Sequence, residues 1–137
     1  MITVGDVMSN PVIYCTTLDN VYEAALLMKD HGIGAVPVYE DGSLIGIITD
    51  RDIAIRGVGS KHPGSTKVTD IMSEGMATIS SGESLDEAAS LMASRQVRRL
   101  PVIENGECVG ILSLGDLARH MDGSATTAGV LKDISQS

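Results

Sequence analysis

Apolar and polar residues alternate along this chain with two distinct periods, and the change from one period to the other marks out its elements. From Asp19 to His31 the apolar residues Val21, Ala24, Ala25 and Met28 recur at helical spacing. Asp19 stands as the N-cap, Leu18 is placed for a hydrophobic staple, and Gly32 is the stop. Two short apolar runs follow, Ala35-Val36-Pro37-Val38-Tyr39 and Leu44-Ile45-Gly46-Ile47-Ile48, with Glu40-Asp41-Gly42-Ser43 between them. Asp-Gly between apolar runs predicts a hairpin. Pro37 cannot donate to a ladder, which assigns it to an edge or to the start of its strand. Upstream, Val12-Ile13-Tyr14-Cys15 reads as a strand after the lead-in Asp6-Val7-Met8-Ser9-Asn10-Pro11. Downstream, a second helix is expected from Asp50 to about Gly57. The unit so predicted is β-α-β-β-α.

The whole pattern then occurs again. Sliding the chain by 64 positions gives 17 identities in the 53 positions of residues 4–56 against 68–120, with no gap. Val4-Gly5-Asp6-Val7-Met8-Ser9 falls on Val68-Thr69-Asp70-Ile71-Met72-Ser73, and Glu40-Asp41-Gly42-Ser43 on Glu104-Asn105-Gly106-Glu107. The second long helix carries Leu85, Ala88, Ala89 and Met92, and its short helix runs from Leu114 to about Met121. A unit of about 60 residues buries too little surface to be comfortable alone, so the copies should pack together. The domain reading is repeat 1 over 1–57, a Gly/Ser/Pro-rich linker over 58–67, repeat 2 over 68–121 and a polar tail over 122–137, with a short helix around Ala128 to Ile134. The alanine pairs Ala24-Ala25 and Ala88-Ala89 suit close helix packing, within the chain or between chains.

The candidate chemistry sits where each hairpin meets its short helix. Gly46-Ile47-Ile48-Thr49-Asp50-Arg51-Asp52 and Gly110-Ile111-Leu112-Ser113-Leu114-Gly115-Asp116 both bring a hydroxyl, free backbone N–H groups and a carboxylate to a helix start. Anions are favoured at such a position, so the motif reads as a binding site built twice. The same Thr/Ser-x-x-Asp spacing is also that of a capping box serving only its own helix.

Composition narrows the classes of partner. Eighteen acidic against ten basic residues give a net charge of −8, which opposes general nucleic-acid or anionic-membrane binding. A polyanionic ligand must then be met by local arginines, here Arg51, Arg98 and Arg99. No apolar run is long enough to span a bilayer and the first residues lack signal-peptide character, so a cytoplasmic protein is expected. Cys15 and Cys108 lack ligand or redox spacing and read as buried free thiols. His31, His62 and His120 are scattered and read as exposed polar residues. No nucleophile, base and orienting group occur together, and no metal-ligand set is visible, so neither a catalytic residue nor a metal site is assigned.

The tandem unit, the Asp-Val-Met-Ser and Asp-Ile-Met-Ser lead-ins, the Val-Pro-Val and Leu-Pro-Val strands and the Gly-hydrophobic-hydrophobic-Thr/Ser-x-x-Asp endings together resemble a pair of CBS domains, a Bateman module. The likeness covers residues 1–121 and is similar to small stand-alone bacterial CBS-pair proteins, including those of the hypoxic-response type. It implies an α/β (α+β) fold of two β-α-β-β-α repeats packed about a pseudo-two-fold axis. It also implies a homodimer and a non-catalytic sensor that binds AMP, ADP, ATP or S-adenosylmethionine in the cleft between repeats to alter a regulated protein.

Carried onto this sequence, the resemblance assigns ribose to Asp52 and Asp116 and phosphate to Thr49 and Ser113. Adenine goes among Ile33, Gly34, Ala35 and Val36 and among Val97 to Leu100. It further implies that Thr49 and Asp52 look toward Val97, Arg98 and Arg99, and Ser113 and Asp116 toward Ile33, Gly34 and Ala35. Phosphate would then prefer the pocket that also holds Arg51. The alternative is a dimeric scaffold whose pockets are empty or hold a metal.

Overall fold

The computed structural model of the protein describes residues 1–9 and 13–120. Val12, expected to open the first strand, and the tail 122–137 with its short helix lie outside the described residues. The elements in chain order are α1 (Val4–Val7), β1 (Cys15–Thr16), α2 (Val21–His31), β2 (Ala35–Glu40), β3 (Ser43–Thr49) and α3 (Asp50–Asp52), then α4 (Val68–Ile71), β4 (Ile79–Ser80), α5 (Leu85–Arg95), β5 (Arg99–Glu104), β6 (Glu107–Ser113) and α6 (Leu114–His120). This is the mixed α/β class expected, with two three-stranded sheets of order β1-β2-β3 and β4-β5-β6.

The chain forms two compact units. One is Val12–Met76; the other joins Met1–Pro11 to Ala77–Ser137. They are offset from the sequence repeats, because each repeat's lead-in helix belongs to the unit that holds the other repeat's sheet. In the first unit Val68, Ile71 and Met72 of the second lead-in share a core with Cys15, Val21, Ala24, Met28, Val36, Val38 and Ile48. In the second, Val4 and Val7 of the first lead-in pack with Leu85, Ala88, Met92, Leu100, Val102, Leu112 and Leu117. Val4 and Val68 are both 0% exposed. Fully burying an aliphatic side chain contributes about 1.5–3 kcal/mol, so these short helices are held by packing rather than by their own propensity.

The hairpins follow their turn chemistry. Asp41 (φ 50°) with Gly42 (φ 79°), and Asn105 (φ 53°) with Gly106 (φ 79°), place two consecutive residues at positive φ. A type I′ turn requires this and only Asn, Asp and Gly adopt it readily. Past the turn each hairpin has a register shift, between Val38 and Tyr39 and again between Val102 and Ile103. A residue of the opposite strand is left unpaired there, Ile45 or Val109.

Four local expectations differ from the structure. The cap of α2 is Asn20, whose side chain accepts from the Glu23 N–H at 2.8 Å while Glu23 returns to the Asn20 N–H at 3.1 Å. Asp19 instead accepts from the Thr16 N–H at 2.8 Å, and Leu18, one position too early for a staple, is 92% exposed. The strand expected over Val12 to Cys15 is only Cys15–Thr16. Pro37 lies within the central strand β2, opposite Ile47. It is tolerated because Ile47 directs both backbone groups away, to Ser73 (3.0 and 2.8 Å), and because β1 pairs only from Val38 onward. Finally, the helix after Thr49 is α-helical only over α3. It continues as a π-helical stretch Ile53–Gly57 and a 3-10 turn Val58–Ser60. Gly57 and Gly59, poor helix formers, lie in this segment.

Candidate functional site

Each unit brings its own candidate residues to one end of its hairpin. Antiparallel pairing sets Ala35 opposite Thr49 and Arg99 opposite Ser113. The Asp50 N–H donates to the Gly34 carbonyl (2.9 Å), and the Leu114 N–H to that of Arg98 (2.8 Å). Ile33, Gly34 and Ala35 therefore adjoin Thr49, Arg51 and Asp52 in the first unit, and Val97, Arg98 and Arg99 adjoin Ser113 and Asp116 in the second. Arg51 and Arg98 are exposed and Arg99 is half-buried. Val36 is 0% exposed, with its side chain in the core, and offers a ligand no side-chain surface.

The two carboxylates are the only charged side chains buried among the described residues, Asp52 at 9% and Asp116 at 3% exposure. Burying a charge requires partners, and the local helix start supplies the first of them. The Thr49 N–H donates to Asp52 Oδ2 (3.0 Å) and the Asp52 N–H to Thr49 Oγ1 (3.0 Å). The Ser113 N–H donates to Asp116 Oδ2 (2.9 Å) and the Asp116 N–H to Ser113 Oγ (3.1 Å). Both elements are thus capping boxes. Yet a carboxylate has about four acceptor positions and the box uses one of them.

Two further residues meet these carboxylates. The Ser73 hydroxyl lies 3.1 Å from Asp52 Oδ1 and 3.3 Å from Oδ2. It is set there by the paired backbone bonds between Ser73 and Ile47. In the second unit Nη2 of Arg119 forms an ion pair with Asp116 Oδ1. Arg119 lies three residues beyond Asp116, a spacing legible in the sequence once the helix is assigned. Ser73 lies 21 residues from Asp52, and only the repeated Met-Ser of the lead-ins hints at a role.

The lead-ins also explain the glycine that opens each motif. A Cβ on Gly46 would stand 2.5 Å from Met72 Sδ and 3.0 Å from the Ser73 carbonyl oxygen. On Gly110 it would stand 2.8 Å from Met8 Cγ and 3.0 Å from the Ser9 oxygen. Ser9 pairs with Ile111 as Ser73 does with Ile47. The glycine thus lets the other repeat's lead-in lie against the strand that ends in the hydroxyl.

Cys15 and Cys108 are both buried. Burial first, and the nearby carboxylates of Asp19 and Glu23 next, push the Cys15 thiol up to about 12, so it is not a nucleophile near neutral pH. His31, His62 and His120 are exposed. Among the described residues no group of three His, Cys, Asp or Glu side chains is placed to hold a metal ion. No helix among them is long and apolar enough to cross a membrane.

Comparison with known proteins agrees with this architecture. The CBS domain family model matches residues 4–58 and 68–123. The uncharacterized protein YlbB of Bacillus subtilis is 46% identical over 138 residues, covering 99% of this chain and 93% of that protein. Hypoxic Response Protein I, solved with two coordinated zinc ions, has a TM-score of 0.76 at 33% identity, covering 88% of this chain and 99% of that one. The CBS domain pair of protein MJ0100, solved with 5-methylthioadenosine and S-adenosyl-L-methionine, has a TM-score of 0.78 at 28% identity, covering 85% and 93%. CBSX2, solved in complex with AMP, has a TM-score of 0.72 at 26% identity, covering 85% and 94%.

Proposed function

The chain belongs to the CBS domain family, and from that membership we propose that it is a non-catalytic, cytoplasmic sensor of an adenosine compound. AMP, ADP, ATP and S-adenosylmethionine are the ligand class, and ligand occupancy alters a regulated protein. The observation that carries this reading is the doubled cap: two buried carboxylates, each spending one acceptor position on its own backbone, each beside a hydroxyl at a helix start. Asp52 and Asp116 accept from the ribose hydroxyls, and Thr49 and Ser113 face the phosphate or its equivalent with the N–H groups beside them. Arg51, Arg98 and Arg99 supply local positive charge in a chain whose net charge is −8. Relatives of known structure hold AMP or S-adenosylmethionine, which supports the ligand class.

The test is isothermal titration of folded protein with AMP, ADP, ATP, adenosine and S-adenosylmethionine. Saturable binding of at least one, lost together with Asp52 and Asp116, is the expected result. Failure of every compound at millimolar concentration refutes the reading. The same reading includes a homodimer. Tyr22 (59% exposed) and Leu26 (36%) on α2, with Ile55 (58%) and Val58 (72%) after α3, form the apolar surface it would cover. Of the alanine pairs only Ala25 could add to that surface, since Ala24, Ala88 and Ala89 are buried in the cores of their own units. Sedimentation showing only monomer at tens of micromolar would remove the dimer.

A further inference from the structure

The second partner of each buried carboxylate differs in kind. Asp52 Oδ1 accepts from a neutral hydroxyl, that of Ser73. Asp116 Oδ1 is held by a cation, the Arg119 guanidinium. The position matching Arg119 in the first repeat is Ile55, and the neighbouring Arg56 donates instead to the Met72 carbonyl, where α4 ends. The Asp116 side chain is 4% exposed and that of Arg119 66%. A carboxylate shut from water is thus covered by a side chain that itself stands in water.

We propose that Arg119 is a specificity-determining residue that competes with the ligand for Asp116. This rests on the adenosine reading above: a sugar whose hydroxyls bind Asp116 must first displace the guanidinium. Asp116 and Arg119 are neighbours on one helix face, so the arginine leaves and returns by side-chain rotation alone. An ion pair with one exposed partner is worth little, so the competition weakens binding without abolishing it, by about two- to five-fold. A neutral ligand feels this in full, because it carries no anion to receive the displaced cation. The two elements are therefore unequal through a residue of the protein's own helix, and Asp52 is the more readily occupied by an uncharged sugar.

The test uses adenosine, which is uncharged, in titrations of the full chain. In an Asp52→Asn background the remaining binding reports Asp116. Adding Arg119→Ala there should tighten adenosine two- to five-fold, and Arg119→Lys, which keeps the charge and loses the fork, should fall between. Raising salt from 50 to 500 mM should tighten adenosine while Arg119 is present, because salt screens the ion pair, and should have no effect once it is alanine. A merely structural role for Arg119 would give no gain and no salt dependence. The Asp116→Asn variant isolates the Asp52 element as the control. If that control binds adenosine and Arg119→Ala gives unchanged or weaker binding, the competitor is refuted and the adenosine reading stands. If no variant binds adenosine or AMP, the adenosine reading itself has failed and the competitor falls with it.

Discussion

Gly46→Ala is the substitution through which fold and site can be tested together. The added methyl would stand 2.5 Å from Met72 Sδ, 3.1 Å from Met72 Cγ and 3.0 Å from the Ser73 carbonyl oxygen. The thioether is flexible and can give way. The carbonyl cannot follow easily, because Ser73 is tied to Ile47 by bonds of 3.0 and 2.8 Å. Forcing a methyl into a packed core costs about 1–3 kcal/mol, and loss of one of those backbone bonds would add about 0.5–1.5 kcal/mol. The expected destabilisation is therefore about 1–4.5 kcal/mol. Because Ser73 also reaches Asp52, the variant should weaken adenosine binding at that element as well. Urea unfolding of wild type, Gly46→Ala, Met72→Ala and the double variant supplies the check. Met72→Ala alone should cost about 2–5 kcal/mol. The double variant should cost at least about 1 kcal/mol less than the sum, since the new methyl then enters space that the methionine has left. Additive costs, or a Gly46→Ala protein as stable as wild type, would refute the claim that the glycine exists to admit the lead-in.

Other expectations follow from the same geometry. Asp52→Ala removes a charged hydrogen bond to the ligand and should weaken adenosine-nucleotide affinity about 10- to 100-fold. It should also cost about 0.5–2 kcal/mol of stability through the lost cap; a fall in melting point with unchanged affinity per folded molecule would leave only the structural role. Cys15 should resist iodoacetamide at pH 8.5 in the native protein and react once unfolded, and fast native labelling would contradict its burial. Its thiol ionises near 9.0 when unexceptional and near 12 when folded, so between those values the unfolded chain loses the proton first. Stability should accordingly fall as pH rises from 9 to 12, and Cys15→Ser should flatten that slope. Deleting residues 1–9 uncovers the sites of Val4 and Val7 and should cost about 3–6 kcal/mol. Amide protection should then fall in β6, including Ile111, and hold in β3; uniform loss would show that the lead-in stabilises the chain only in a general way.

What could be read from the sequence was what short-range chemistry decides. Asp41-Gly42 and Asn105-Gly106 announce their turns because few residues accept positive φ twice in a row. Gly32 ends α2 in a left-handed conformation (φ 63°) for the same reason, although Gln96 does so in the second repeat (φ 54°). The cap was misplaced by one residue because Asp19 and Asn20 are both good caps, and only Asn20 has Glu23 three positions on to answer it. Pro37 was misplaced because its tolerance depends on where β1 stops and on Ser73. The helix after Thr49 was legible as a start, not as a turn that widens. At the candidate site the repeated hydroxyl-x-x-carboxylate stood out, and its capping bonds could be foreseen. The Ser73 contact could not, since it depends on which sheet each of two nearly identical lead-ins joins.

That exchange of lead-ins bears on how the polypeptide is made. On the ribosome the first sheet could form as soon as β3 emerges, but its outer edge and part of its core wait for residues 68–73, beyond the repeat's own end. Residues 1–9, made before the rest of their unit, find their first partners at Ser81, Glu83 and Leu85 and the last of them, Ile111, Leu112 and Leu117, only when β6 and α6 have been made, more than a hundred positions later. Docking of the first lead-in is thus complete only late, and contacts of such long sequence separation slow folding. Any nascent chain stalled before β6 would expose Val4, Val7 and an unpaired strand-like segment to chaperones or to a neighbouring chain's vacant sheet edge. A gene fusion that borrows one repeat at its sequence boundary inherits a lead-in cut for the wrong sheet; cutting at residues 12–76 would carry off a complete core.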